Sequence, residues 1–155
     1  MGGPYKIITL CGSTRFKDAF MREQKRLTLE GNIVISVGLF GHSGDKEAWL
    51  NDGKTKKMLD DMHKKKIDMA DSIFIINEGG YIGESTKNEI RYARKHGKPV
   101  EYLEPRLYCD ACQDEFLHTS VDGQYIERYG MCSSCFNYFD GLYREMYGSA
   151  WGGPL

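Results

Sequence analysis

Ile73-Phe74-Ile75-Ile76 constrains the fold of this chain more than any other stretch: four consecutive apolar residues leave a strand with no face for water. Such a strand has to be covered on both sides, as an inner strand of a parallel sheet is. Residues 78–85, with Gly79, Gly80 and Gly83, supply the turn that ends it. A helix is predicted over residues 85–96, and Gly97-Lys98-Pro99 terminates it.

The same alternation runs through the residues before it. Residues 5–11 read as a strand, Gly12-Ser13-Thr14 as a turn, and 16–30 as an amphipathic helix with Phe16, Ala19, Phe20 and Leu27 near one face. Gly31-Asn32 stops that helix, and residues 32–39 read as a second strand. A long loop over 38–53 holds Phe40, His42, Asp45 and Trp49, and loops of that length are commonly functional. Residues 54–70 have helical spacing through Leu59, Met62 and Met69, and 100–103 form a last strand. Strands alternating with helices predict an α/β domain over 1–104, a Rossmann-like or flavodoxin-like parallel sheet flanked by helices. In such a sheet, ligands sit beyond the carboxyl ends of the strands.

Composition narrows the function classes. The chain has 155 residues, 41% hydrophobic and 28% charged, enough for one compact domain and a small appendage. No apolar run approaches the roughly 20 residues a membrane span needs, and the amino terminus lacks a signal-peptide pattern, so a cytoplasmic protein without membrane contact is expected. A net charge of −1 argues against a nucleic-acid binder working through an overall basic field. The lysines at 54–66 interleave with Asp60, Asp61 and Asp68 at helical spacing and read as a solvated helix face.

Beyond residue 104 the composition changes. Cys109-Asp110-Ala111-Cys112 and Cys132-Ser133-Ser134-Cys135 form two C-x2-C pairs, which predicts a zinc-ribbon-like extension over 105–155. Each pair places two thiolates on one side of a tetrahedral ion, so Cys109, Cys112, Cys132 and Cys135 are the expected ligands of a structural Zn2+. Without an export signal, two disulfides are the weaker alternative. Val121-Asp122-Gly123-Gln124 reads as a hairpin turn between Phe116-Leu117 and Tyr125-Ile126. Four cysteines close the site and leave His118 outside it. Cys11, at the end of a strand, reads as a small core residue rather than a nucleophile.

Residues able to carry chemistry gather at the turns. Gly12, Ser13 and Arg15 offer backbone N–H groups, a hydroxyl and a fixed cation ahead of a helix, a combination that suits a phosphate, although Ser13 or Thr14 can equally serve as a helix cap. Gly83 lets backbone approach a ligand closely, and Ser85 and Thr86 are candidate caps of the helix that carries Glu89. Asp71 opens the buried strand. Trp49 is placed to stack on a base from the long loop, or to anchor that loop.

Three stretches carry a family resemblance: CGSTR near the amino terminus, ADSIFIIN in mid-chain, and GGYIGESTKNEIRYARKHGKPV before the last strand. Together they resemble the nucleoside 2-deoxyribosyltransferase superfamily, including its deoxynucleoside-monophosphate N-glycosidase branch, over residues 5 to about 104. The resemblance implies Glu89 as the nucleophile at the anomeric carbon and Asp71 as the residue handling the proton of the departing base. It further implies Gly12, Ser13 and Arg15 as holders of a 5′-phosphate, no organic cofactor, and a homo-oligomer. The expected activity is hydrolysis or transfer at the N-glycosidic bond of a nucleoside 5′-monophosphate or related nucleotide. Two other readings accompany it: a nucleotide-binding or sensing module without turnover, and a ribbon that docks a protein partner.

Overall fold

The fold is that of a computed structural model, which describes residues 3–41 and 53–153. It divides into two units, Met1–Leu103 and Glu104–Leu155, within a residue of the boundary expected from composition. In the first unit the elements run β1 (Ile7–Gly12), α1 (Lys17–Leu29), β2 (Ile33–Ile35), α2 (Gly53–Met69), β3 (Ser72–Ile76), α3 (Glu84–Lys95) and β4 (Val100–Tyr102). The four strands form one parallel sheet in the order β2-β1-β3-β4. No helix among the described residues is long and apolar enough to cross a membrane.

The period-2 alternation of strand side chains divides the core between the two faces of this sheet. Ile8, Leu10, Phe74 and Ile76 point to one face and pack on Ala19, Phe20 and Leu27 of α1. Cys11, Ile73 and Ile75 point to the other and pack on Ile67 of α2 and on Ile90 and Ala93 of α3. All five β3 residues are therefore buried, as the apolar run predicted. Each fully buried side chain of this size contributes about 2 kcal/mol.

Helix ends follow their punctuation. Asn32 closes α1 through its backbone N–H and its side-chain amide, both donating to the Leu27 carbonyl. Gly97, at φ 70°, ends α3, and Lys98 N–H returns to the Ala93 carbonyl. Two local expectations are corrected. The N-cap of α3 is Gly83, with no side-chain bond, so neither Ser85 nor Thr86 caps it. The inner face of α2 is not the Met62 and Met69 stripe; those two are exposed, while His63 and Ile67 are buried.

The second unit holds β5 (Arg106–Tyr108) and β6 (Glu115–Leu117), an antiparallel hairpin, followed by α4 (Val121–Tyr129) and α5 (Ser133–Tyr147). The hairpin expected around residues 121–124 is instead the first turn of a helix. Ser120 caps it by accepting from Gly123 N–H at 2.9 Å, and Asp122 sits where a carboxylate favours a helix start. Asp122 also accepts from both the backbone N–H and the hydroxyl of Ser133, tying the start of α5 to α4. Gly123 is needed for close packing rather than for a turn, because a Cβ there would collide with the Leu117 carbonyl and with His118.

Gly12 has the matching role in the first unit, where β1 pairs it with Ile76 of β3. A Cβ at Gly12 would lie 2.7 Å from the Ile76 carbonyl oxygen and 3.0 Å from Ile76 Cβ. We expect Gly12→Ala to lose about 2 kcal/mol in denaturant unfolding. Gly141→Ala, in an open part of α5, should gain about 0.5–1 kcal/mol. Equal midpoints for wild type and Gly12→Ala would show that the approach is not tight.

Candidate functional site

The strand order places a switch point between β1 and β3, because the chain leaves β1 toward β2 and returns on β1's other side to form β3. A cleft of about 380 Å³ opens at the carboxyl ends of these two strands, within the size range of small-molecule sites. Gly12, Ser13 and Arg15 line one wall, Gly83, Ser85 and Glu89 another, and Lys56, Asp60, His63 and Lys66 of α2 a third.

On the first wall, Ser13 starts a short 3-10 turn, Thr14–Phe16, and its hydroxyl accepts from the backbone N–H and the Nε of Arg15. The Arg15 guanidinium lies over the Tyr81 ring at 4.1 Å from its centroid and donates to the Tyr81 hydroxyl at 3.2 Å. Arg15 is thereby held at the rim as a planar cation, the geometry that suits bidentate binding of a phosphate. On the third wall, Lys56 pairs with Asp60 at 2.7 Å and Lys66 donates to the Ser36 carbonyl at 3.0 Å.

Glu89 occupies the floor. Its side chain is only 18% exposed, and Oε2 has no hydrogen-bond partner. His63 Nε2 lies 3.6 Å from that oxygen and 3.2 Å from Cys11 Sγ. Burial dominates the electrostatics of all three groups. It pushes the Glu89 carboxyl up to about 8, with the Cys11 thiol and Lys56 opposing and Asp60 adding to the rise. Burial, aided by Lys66, holds the His63 ring down to about 4, with Asp60 opposing. The Cys11 thiol is driven well above its ordinary range by burial and then by Glu89. A neutral carboxyl, a neutral imidazole and a thiol therefore share the floor near pH 7.

The cleft unites Gly12, Ser13, Arg15, Gly83, Ser85 and Glu89, all expected from the sequence. It does not include Asp71. That residue precedes β3 at the opposite, amino edge of the sheet, where its carboxylate accepts from Ile7 N–H at 2.8 Å and its own N–H donates to the Ile7 carbonyl. Asp71 is thus a clasp between β1 and β3, and the proton-handling role expected of it is withdrawn. Trp49 and His42 lie outside the described residues. Phe40 packs edge-on against Phe20 in the core, so it anchors its segment. His63 and Tyr81 were not anticipated. The sign that could have revealed His63 is the i, i+4 ladder Leu59-His63-Ile67, an apolar helix stripe with an imidazole in its middle.

The second unit contains a separate chemical centre. The Sγ atoms of Cys109, Cys112, Cys132 and Cys135 lie within 4.8 Å of one another, a group able to hold a metal ion. Cys109 and Cys112 sit in the β5–β6 turn, whereas Cys132 caps α5 and Cys135 lies in its first turn. All four are free thiols. Backbone N–H groups of Cys112 and Cys132 donate to Cys109 Sγ. Although burial opposes it, these bonds bring the Cys109 thiol down to about 6, toward the thiolate a metal requires. His118 is turned to the Pro105 carbonyl at 3.1 Å and stays outside the cluster.

The buried carboxyl makes stability depend on pH. Because the folded-state value of Glu89 lies above the unfolded one, its neutral form favours folding below pH 4.5, and this contribution fades as pH rises through about 8. Glu89→Gln should match wild type near pH 4 and exceed it above pH 8 by on the order of 4 kcal/mol. Parallel urea titrations at the two pH values check this, and an unchanged difference would mean that Glu89 is hydrated. No known protein-family model matches the chain, nor does any curated protein, so the functional argument rests on the geometry of its own residues.

Proposed function

We propose that the first unit is a nucleotide N-glycosidase, acting by hydrolysis or transfer at the N-glycosidic bond of a nucleoside 5′-monophosphate or related nucleotide. The observation that carries this reading is the shared cleft: Glu89 on the floor, and the Gly12-Ser13-Arg15 turn on the rim of the same switch point. A phosphate held at the rim by Arg15 and backbone N–H groups brings the sugar over Glu89. The carboxylate oxygen attacks the anomeric carbon, the carbon–nitrogen bond breaks, and its electron pair leaves with the base, which takes up a proton. Water or a second base then resolves the glycosyl ester. With Asp71 at the far edge, the base takes the proton that Glu89 holds at rest: it passes to His63, whose Nε2 lies 3.6 Å from Oε2, and on to the departing nitrogen, which leaves Glu89 as the attacking carboxylate.

One observation favours a second reading, a nucleotide-binding module without turnover. The pair of carboxylates that argued for an enzyme is not a pair in space, since Asp71 faces Ile7. Incubation with nucleoside mono-, di- and triphosphates, with free base followed by chromatography, separates the two. For the enzyme, wild type releases base from at least one nucleotide and Glu89→Ala slows release by on the order of 10³-fold. Asp71→Ala should leave turnover intact while costing about 2 kcal/mol of stability. Saturable binding with no base released on long incubation would establish the module instead.

For the second unit, the proposed ion is structural Zn2+. Tetrahedral zinc with bonds of about 2.3 Å requires sulfurs about 3.8 Å apart, and Cys112 Sγ and Cys132 Sγ stand 4.0 Å apart. A unit of this size has little core of its own, with Cys109, Ile126 and Cys132 as its buried apolar residues. Chelation should therefore unfold α4 and α5, lowering helical circular dichroism and exposing the carboxyl-terminal unit to protease. Unchanged proteolysis after confirmed metal removal would assign the cluster a role other than folding.

A further inference from the structure

We propose that Cys11, His63 and Glu89 form a second divalent-metal site, on the floor of the cleft, with zinc as the ion its donors suit. The three residues come from three elements: the end of β1, the buried face of α2 and the second turn of α3. Their ligand atoms lie within 4.8 Å of one another.

Geometry supports coordination by all three. Around a tetrahedral zinc, bonds of about 2.3 Å to sulfur and about 2.0–2.1 Å to nitrogen and oxygen place sulfur and nitrogen about 3.6 Å apart, and nitrogen and oxygen about 3.4 Å apart. The observed separations are 3.2 Å for Cys11 Sγ to His63 Nε2 and 3.6 Å for His63 Nε2 to Glu89 Oε2, each within a few tenths of an ångström. Glu89 Oε2 is buried with no hydrogen-bond partner, an arrangement that costs about 1–3 kcal/mol and that a cation would relieve.

Charge and access agree with this. A thiolate, a carboxylate and a neutral imidazole together neutralise a divalent ion, so the loaded site carries no net charge into a low-dielectric floor. Thiolate and imidazole select zinc over magnesium or calcium. His63 and Glu89 line the cleft, which gives the ion a route in and leaves a fourth position open to it. Lys56 and Lys66 are the opposing charges on the same helix; Lys56 is paired with Asp60, and the Lys66 ammonium is engaged by the Ser36 carbonyl.

Metal binding here does not depend on the glycosidase reading. If that reading holds, however, a bound ion occupies the carboxylate that would attack the sugar, and zinc competes with the nucleotide. The test therefore measures metal directly. The full-length protein is stripped with a chelator, dialysed against saturating Zn2+ and analysed for metal content. Two ions per chain are expected for wild type, and one for Cys11→Ala and for His63→Gln. Protein whose first site is filled with zinc, when given Co2+, should develop thiolate-to-cobalt absorption that Cys11→Ala lacks and His63→Gln weakens. The proposal is overturned if saturated wild type holds one ion, or if either folded variant still holds two. In that case the Cys11–His63 contact is a thiol–imidazole hydrogen bond and nothing more. Nucleotide turnover by wild type that holds only one ion would leave the glycosidase reading standing and remove this one.

Discussion

The first unit depends on the burial of β3 from both faces. A strand that cannot show water on either side has to lie inside the sheet with helices on both sides, and this determines where the two ends of the strand lie. At the amino end, Asp71 binds the backbone of Ile7 and sets the register of β1 against β3. At the carboxyl end, β1 must come close enough to pair Gly12 with Ile76, and only glycine leaves room for that. The cleft lies beyond this pairing. Its Gly12-Ser13 turn and the start of α3, which carries Glu89, are therefore placed by the same contacts that close the core.

The floor of the cleft continues that core. Cys11 belongs to the same buried cluster as Ile67, Ile73, Ile75 and Ile90, and His63 and Glu89 extend it toward the cleft. Groups placed there are driven toward neutrality because a low-dielectric surrounding penalises charge. A substrate cation, a developing positive charge on a sugar or a metal ion would each favour the ionised carboxylate. The neutral state of Glu89 at rest is thus a consequence of packing as much as of residue type.

The second unit meets the opposite constraint. Its apolar interior is small, and its aromatic residues form a chain of ring contacts from Tyr125 and Tyr129 through Phe136 to Trp151 instead of a closed core. The four thiols bring the hairpin turn to the start of α5, and a metal ion held there would supply the cross-link that such a unit needs. Asp122 reinforces the same junction through Ser133.

Elements with a strong local signal were legible in the residues alone. The β3 run, the Gly-Lys-Pro stop after α3, the change of composition near residue 104 and the paired cysteines each depend on steric or polar preferences that act over a few positions. The residues misread were those whose role depends on what approaches them from elsewhere in the chain. Asp122-Gly123 has the composition of a hairpin turn, yet Ser120 and the close approach of the Leu117 carbonyl make it a helix start. Met62 and Met69 are more apolar than His63, yet the rotation of α2 against the sheet buries the histidine. By itself the sequence determined the order of strands and helices in the first unit, the paired cysteines and the glycine-rich turns, because those follow from short-range stereochemistry. Only the tertiary structure decided that Glu89 would meet His63 and Cys11 and that Asp71 would not. Strand register and helix rotation are set by packing of the whole core, and they determine which side chains share a space.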